Sequence, residues 1–145
     1  MALQRSPEED FVQLIADDER WRQVAAAAAP VVHDDVASVR PGIPGSKEYI
    51  GLDGFRALWL DWLAPWAEYR TAIEEAIDCG ERVLLLQRSS GRMRGSTGQV
   101  KLSPGVVWTV RAGKVACFEV YADRADALEA VGLARWAVSP RGSAF

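Results

Sequence analysis

Residues 106–123, VVWTVRAGKVACFEVYAD, set two apolar stretches on either side of Ala112-Gly113. A two-residue connection between such stretches specifies an antiparallel hairpin, whose side chains point to opposite faces in turn. Trp108, Phe118 and Tyr121 must therefore be accommodated on one face or the other. They face a solid core, a second chain or a cavity.

The rest of the chain supplies the covers for that hairpin. Ser6-Pro7-Glu8-Glu9 reads as a helix start, followed by Phe11, Leu14 and Ile15 on one face. A second helix is expected from Asp18 to about Ala29, with Trp21, Val24 and Ala25 or Ala28 inward and Pro30 ending it. DVASVR (35–40) alternates as a short strand, and RPGIPGSKEYIG (40–51) is a loop long enough to lie over something. Phe55, Leu58, Trp59, Trp62, Leu63 and Trp66 repeat at helical spacing, with Asp53 as the expected cap and Pro65 as the stop.

From Tyr69 onward the chain reads as strands. Tyr69, Thr71, Ile73 and Ile77 alternate with polar residues, and RVLLLQR (82–88) is continuous enough to be covered on both faces. GRMRGSTG (91–98) reads as turn, and Ser103-Pro104-Gly105 interrupts a long strand over 99–111. Asp123 caps a final helix, DRADALEAV, which Gly132 stops. Helices followed by hairpin-linked strands define an α+β layout, one antiparallel sheet wrapped around helices. The 145 residues are read as one domain, with a core over about 8–133 and a tail over 134–145 that carries Trp136.

Charge and composition narrow the partners. The net charge of −3 gives no general attraction to nucleic acid or anionic lipid. Six basic and no acidic residues lie between Val83 and Phe118, either an anion-facing surface or, the preferred reading, basic strands beside acid-rich helices with solvated faces. Cys79, Cys117 and the single His33 share no metal-ligand spacing, and neighbouring His33-Asp34-Asp35 would point apart on an extended chain. No metal and no cofactor are expected. The apolar run Val24–Val32 is far shorter than the ~20 residues of a membrane span, and the N-terminus lacks a secretory pattern. The expected location is the cytoplasm.

GLDGFRALWLDWL, AIDCGERVLLLQR and VVWTVRAGKVACFEVYADRADALEAVGL together resemble SnoaL-like proteins, of the superfamily of nuclear transport factor two, ketosteroid isomerase and limonene-epoxide hydrolase. The most specific features are the Trp108…Gly113-Lys114-Val115 hairpin and Tyr121-x-Asp123 leading into Ala127–Ala130. The resemblance implies a cone: a strongly curved, mostly antiparallel sheet around N-terminal helices, the cystatin-like α+β barrel, enclosing an apolar pocket. It places Val106, Trp108, Phe118, Val120 and Ala122 inward. Val107, Thr109, Cys117, Glu119 and Tyr121 then look outward, toward water or a second subunit of a homodimer formed through the outer sheet face. Trp59, Trp62 and Leu63 would close the pocket from the helix.

The family's catalytic groups do not carry over. At the position of the isomerase's carboxylate base stands Arg40, at that of its neutral acid Val106, and no tyrosine precedes Tyr49. The aspartates of the epoxide hydrolase have no inward match, and the cyclase's aspartate falls among apolar last-strand positions. Three weak catalytic candidates remain, Arg40, Glu75 and His33. Arg40, if inward, is a fixed positive charge with paired donors for a carboxylate, enolate or phenolate. Glu75 falls on the apolar side of the 69–77 count, where it would partner Arg40 or act as a base, unless a β-bulge turns it to solvent. Gln87 would orient a ligand carbonyl or satisfy backbone at a strand end. His33 is a base near the mouth or a structural residue.

The expected function is binding of a small apolar or aromatic molecule in the cone, with or without cofactor-free acid-base chemistry of isomerase, cyclase or hydrolase type. The ligand-binding set is Arg40, Trp59, Trp62, Leu63, Gln87, Val106, Trp108, Phe118 and Val120. The alternative is a non-catalytic dimerisation or partner-binding module with its interior filled by tryptophan. A cavity of several hundred Å3 separates the two.

Overall fold

The computed structural model of the chain describes residues 14–133. The helix start at Ser6-Pro7, Phe11 and the tail with Trp136 lie outside the described residues. Helix α1 spans Asp18–Ala28, capped by the Asp17 carboxylate, which accepts from the Arg20 amide at 2.9 Å. It passes through a 3₁₀ turn, Ala29–Val31, into strand β1, Val32–Val39. Short strand β2 is Tyr49–Ile50 and helix α2 is Gly51–Leu63. Strands β3 (Trp66–Asp78), β4 (Arg82–Met93), β5 (Val100–Leu102), β6 (Gly105–Arg111) and β7 (Lys114–Tyr121) follow. Helix α3, Arg124–Ala130, completes the fold, with Asp123 accepting from the Ala125 amide at 2.8 Å.

The strands form one curved, unclosed seven-stranded sheet in the order β2-β1-β7-β6-β4-β3, with β5 beside β4. β1 runs parallel to β7, and the other pairs are antiparallel. The interruption at Ser103-Pro104 splits a single line of pairing. β5 meets β4 at Ser89–Gly91, and β6 meets it at Arg82–Leu86. Residues 91–93, expected as turn, extend β4 instead. A Cβ at Gly91 would lie 2.5 Å from the Glu68 carbonyl oxygen and 2.7 Å from the Trp66 ring, so glycine lets that ring cross the strand.

The inner face of the sheet carries α1 and α2. Ile15, Trp21, Tyr49, Leu58 and Trp59 form one buried cluster with Phe55, Trp62, Leu63 and Val120 against it. Val32, Val36 and Phe118 form a second with Trp108, and Phe118 meets Phe55 at 4.5 Å between ring centroids. Two helix expectations need correction. Val24 is 39% exposed, because Trp21 and Ala25 already supply the packed face. Asp53 does not cap α2, which starts two residues earlier at Gly51 with no side-chain cap.

One strip of the outer face is covered by the chain itself. Leu84, Leu86 and Val107, all 0% exposed, pack under Ala127 and Leu128 of α3, with Ile77 and Tyr121 at their edge. Val107 and Tyr121 do lie on the outer face, but under a helix rather than toward water or a second subunit. Each fully buried aliphatic side chain there contributes about 1.5–3 kcal/mol of transfer free energy.

Candidate functional site

The interior between α2 and the sheet is hollow, a cavity of about 390 Å3. Phe55 and Trp59, one turn apart on α2, form its roof. Val106 and Trp108 of β6 and Leu85 of β4 form an apolar wall. Thr71, Ala72 and Ile73 of β3 complete it, and Ile73, 59% exposed on an edge strand, marks the mouth. The Trp108 ring is held edge-on by Phe118, 5.0 Å between centroids, so the wall is fixed from behind.

Polar groups in this cavity are few and neutral. The Thr71 hydroxyl donates to Gln87 Oε1 at 3.4 Å and shares a 2.8 Å hydrogen bond with Ser89. Both Thr71 and Gln87 lie on its lining, and Gln87 is buried. Deeper along β3, Tyr69 sits among Trp62 and Trp66. Burial pushes its phenol pKa up, opposed by the nearby polar groups of Ser89 and Trp62.

A second, much smaller hollow of about 20 Å3 lies at the end of β1, room for about one water molecule. Arg40, Ile43, Trp62, Tyr69 and Val120 line it, and Trp59 belongs to both linings. Arg40 is near Tyr49, whose hydroxyl donates a short hydrogen bond to the Asp61 carboxylate. That bond, with burial, raises the Tyr49 pKa, and the Arg40 charge opposes the rise.

Of the residues expected at the site, Trp59, Gln87, Val106 and Trp108 line the large cavity. Arg40, Trp62 and Val120 line the small one, and Phe118 backs the wall. Leu63 is on neither lining; it packs into the cluster of Ile15, Trp21 and Tyr49.

Glu75 does not face the cavity. The pairing of β3 with β4 shifts between Ile73↔Gln87 and Glu75↔Leu86, so one extra residue turns the strand over. Glu75 now shares the outer face with Leu86, and Ile77 follows it into the cluster under α3. His33 is on neither of these linings but on that of a separate hollow of about 330 Å3, with Asp34 and Asp53, and its Nε2 donates to the Arg111 carbonyl at 2.6 Å, joining β1 to the β6–β7 hairpin.

Phe55, Thr71, Ala72, Ile73 and Leu85 are additional cavity residues. The alternation of 69–73 carried the signal for Thr71 and Ile73, the run 82–88 for Leu85 and the helical spacing from Phe55 for Phe55 itself, while nothing in the pattern marks Ala72. Among the described residues no group of three His, Cys, Asp or Glu side chains is placed to hold a metal ion. No described helix is long and apolar enough to cross a membrane.

An open curved sheet closed by helices over an apolar hollow is the cone-shaped α+β architecture of the nuclear transport factor two-like proteins. The family model described as the SnoaL-like domain matches residues 2–118, and the chain belongs to that family.

Solved structures share the fold at low identity. A hypothetical protein of ketosteroid isomerase-like fold from Catenulispora acidiphila, in complex with trimethylamine, is 14% identical with a TM-score of 0.58, over 90% of this chain and 97% of that one. A putative SnoaL-like polyketide cyclase from Jannaschia sp. is 18% identical with a TM-score of 0.58, over 88% and 95%. TerC, co-crystallised with polyporic acid, is 22% identical with a TM-score of 0.54, over 85% and 95%. No protein of curated function matches the chain.

Proposed function

We propose that this protein binds a compact, flat, apolar small molecule in the cavity between α2 and β3, β4 and β6. The observation that carries the reading is the hollow itself. Its volume of about 390 Å3 falls within the usual range for ligand sites, about 300–1,000 Å3. Two tryptophans and a phenylalanine offer ring faces to a planar ligand, and Thr71 with Gln87 offers it one polar anchor. A module filled by its own side chains, the alternative reading, would leave no such space.

Binding is favoured over acid-base catalysis because the nine lining residues carry no ionisable side chain. TerC, a structure of the same fold, was co-crystallised with polyporic acid, which is consistent with an organic occupant here. We also propose that two chains pair through the outer sheet face, in the row Ala37, Cys117 and Thr109 beside the strip that α3 covers.

The test uses 1-aminoanthracene, a neutral flat probe that brightens in apolar surroundings, and the variant Val106→Phe, which adds ring carbons to the cavity. The wild-type chain should bind the probe at micromolar concentration, and the variant should bind it at least ~10-fold more weakly (about 1.4 kcal/mol). Equal binding by the two proteins would place the probe elsewhere, and no binding by the wild type would end the proposal.

A further inference from the structure

The large cavity has no charge, yet the small hollow behind Trp59 has one that no carboxylate among the described residues pairs with directly. Arg40 follows β1, whose inner face carries Val36 and Ser38, both 0% exposed. Its Nε atom is fully buried and makes no hydrogen bond. Among the described residues no carboxylate forms an ion pair with it. Its polar neighbour, the Tyr49 phenol, gives its proton to Asp61 and offers the guanidinium only a neutral oxygen, leaving Nε without an acceptor.

A second orphan lies alongside. The Ser38 hydroxyl, two residues earlier on the same face of the chain, is also fully buried and without a partner. Buried polar groups are satisfied as a rule, and a half-buried guanidinium with no anion beside it is costly. Two such groups at consecutive inward positions mark a place where something else supplies acceptors. The guanidinium only donates and is charged, so an anionic acceptor suits it best, and the serine hydroxyl can donate to the same acceptor.

We propose that Arg40, with Ser38 packed behind it on neither lining, receives the anionic oxygen head group of a ligand whose apolar body fills the large cavity. This rests on the binding role proposed for that cavity and narrows it to acids with a flat apolar body. The hollow at Arg40 holds about 20 Å3, too little for a whole carboxylate, so the head group enters by displacing a wall. Two walls are suited to yield. Trp59 belongs to both linings, so it is the side chain that separates the two spaces. Ile43 covers the hollow from the 40–48 loop, which is clasped to the Arg40 carbonyl by the Ile43 amide at 3.3 Å and the Ser46 hydroxyl at 3.1 Å. Arginine suits the role because it stays charged when desolvated and presents paired donors to a carboxylate.

The experiment compares biphenyl-4-carboxylate with its methyl ester, the same body with and without charge, by titration calorimetry against the wild-type chain, Arg40→Met and Arg40→Lys. The wild type should bind the acid at least ~10-fold more tightly than the ester. In Arg40→Met that ratio should fall to about one, and in Arg40→Lys, which keeps the charge without the paired donors, it should lie between. Near-UV circular dichroism confirms that the variants are folded; if Arg40→Met is not, Arg40→Lys and the wild-type ratio decide. An acid bound no better than its ester, or a preference that survives in Arg40→Met, overturns the proposal while leaving the apolar cavity as a binding site. Failure of the wild type to bind either compound removes the cavity reading and this inference with it.

Discussion

Glu74 Oε1 accepts a hydrogen bond from Arg124 Nη2 at 2.7 Å, joining the bulge of β3 to the first residue of α3. The same arginine donates to the Gln87 carbonyl at 2.7 Å, on the strand that presents Gln87 to the cavity. The bulge turns β3 over, and this pair fastens the turned strand to the helix that covers the outer face.

The Arg124 hydrogen bond holds the Glu74 carboxyl below the usual carboxylate range, against the opposing effect of burial and with help from Arg88. A depressed folded-state pKa stabilises the fold above the ordinary glutamate range, and that contribution is lost as pH falls through the folded value. Both side chains are partly exposed, so the effect is at most about 1 kcal/mol. Glu74→Gln should lower the stability from urea unfolding at about pH 7 by up to that amount and make no difference near pH 3. A deficit that persists in acid would show that charge is not the cause.

Gly105 opens the strand that forms the cavity wall, and α3 rests on it. A Cβ there would come 2.6 Å from the Ala127 Cβ, well inside contact distance. Gly105→Ala should cost about 1–3 kcal/mol in denaturant unfolding. Adding Ala127→Gly should restore most of that loss beyond the sum of the single changes. Simple additivity would mean the two positions do not meet.

Ala112 has φ +55° in the β6–β7 turn, a left-handed conformation that an alanine side chain opposes. Asparagine tolerates it better. Ala112→Asn should raise stability by about 0.5–1 kcal/mol with no change in ligand binding, as read from the urea midpoint. A lower midpoint would contradict the turn geometry.

Burial pushes the Cys117 thiol pKa up, and the Glu119 and Glu48 carboxylates add to the shift. In a Cys79→Ser background, Cys117 should react with a disulfide reagent at pH 8 more slowly than glutathione does. If two chains pair across Thr109 and Cys117 as proposed, light scattering at micromolar concentration should give a dimer mass, and Ala37→Arg should give a monomer. A monomeric wild type would remove the pairing.

Much of this architecture is legible in local pattern. The hairpin follows from Ala112-Gly113, and the α2 face from the spacing of Phe55, Leu58, Trp59 and Trp62. RVLLLQR reads correctly as covered on both sides: Leu84 and Leu86 pack under α3, while Leu85 and Gln87 face the cavity.

What is not legible depends on partners distant in sequence. Strict alternation cannot reveal an inserted residue, so Glu75 and Ile77 count as inward until the pairing with Leu86 and Leu84 shows otherwise. Gly91 looks like turn material because the Trp66 ring that needs its missing side chain lies 25 residues away. The helical cover over Val107 is invisible for the same reason: nothing near Val107 says that Ala127 and Leu128 come back to it.

The central claim is that the space bounded by Phe55, Trp59, Val106 and Trp108 is empty, apolar and open to a guest. Crystals of the protein pressurised with xenon test it directly, since xenon settles in apolar cavities. We expect a strong xenon peak between those four side chains, absent in Val106→Phe. Tryptophan rings in mutual contact there, with no xenon between them, would contradict it.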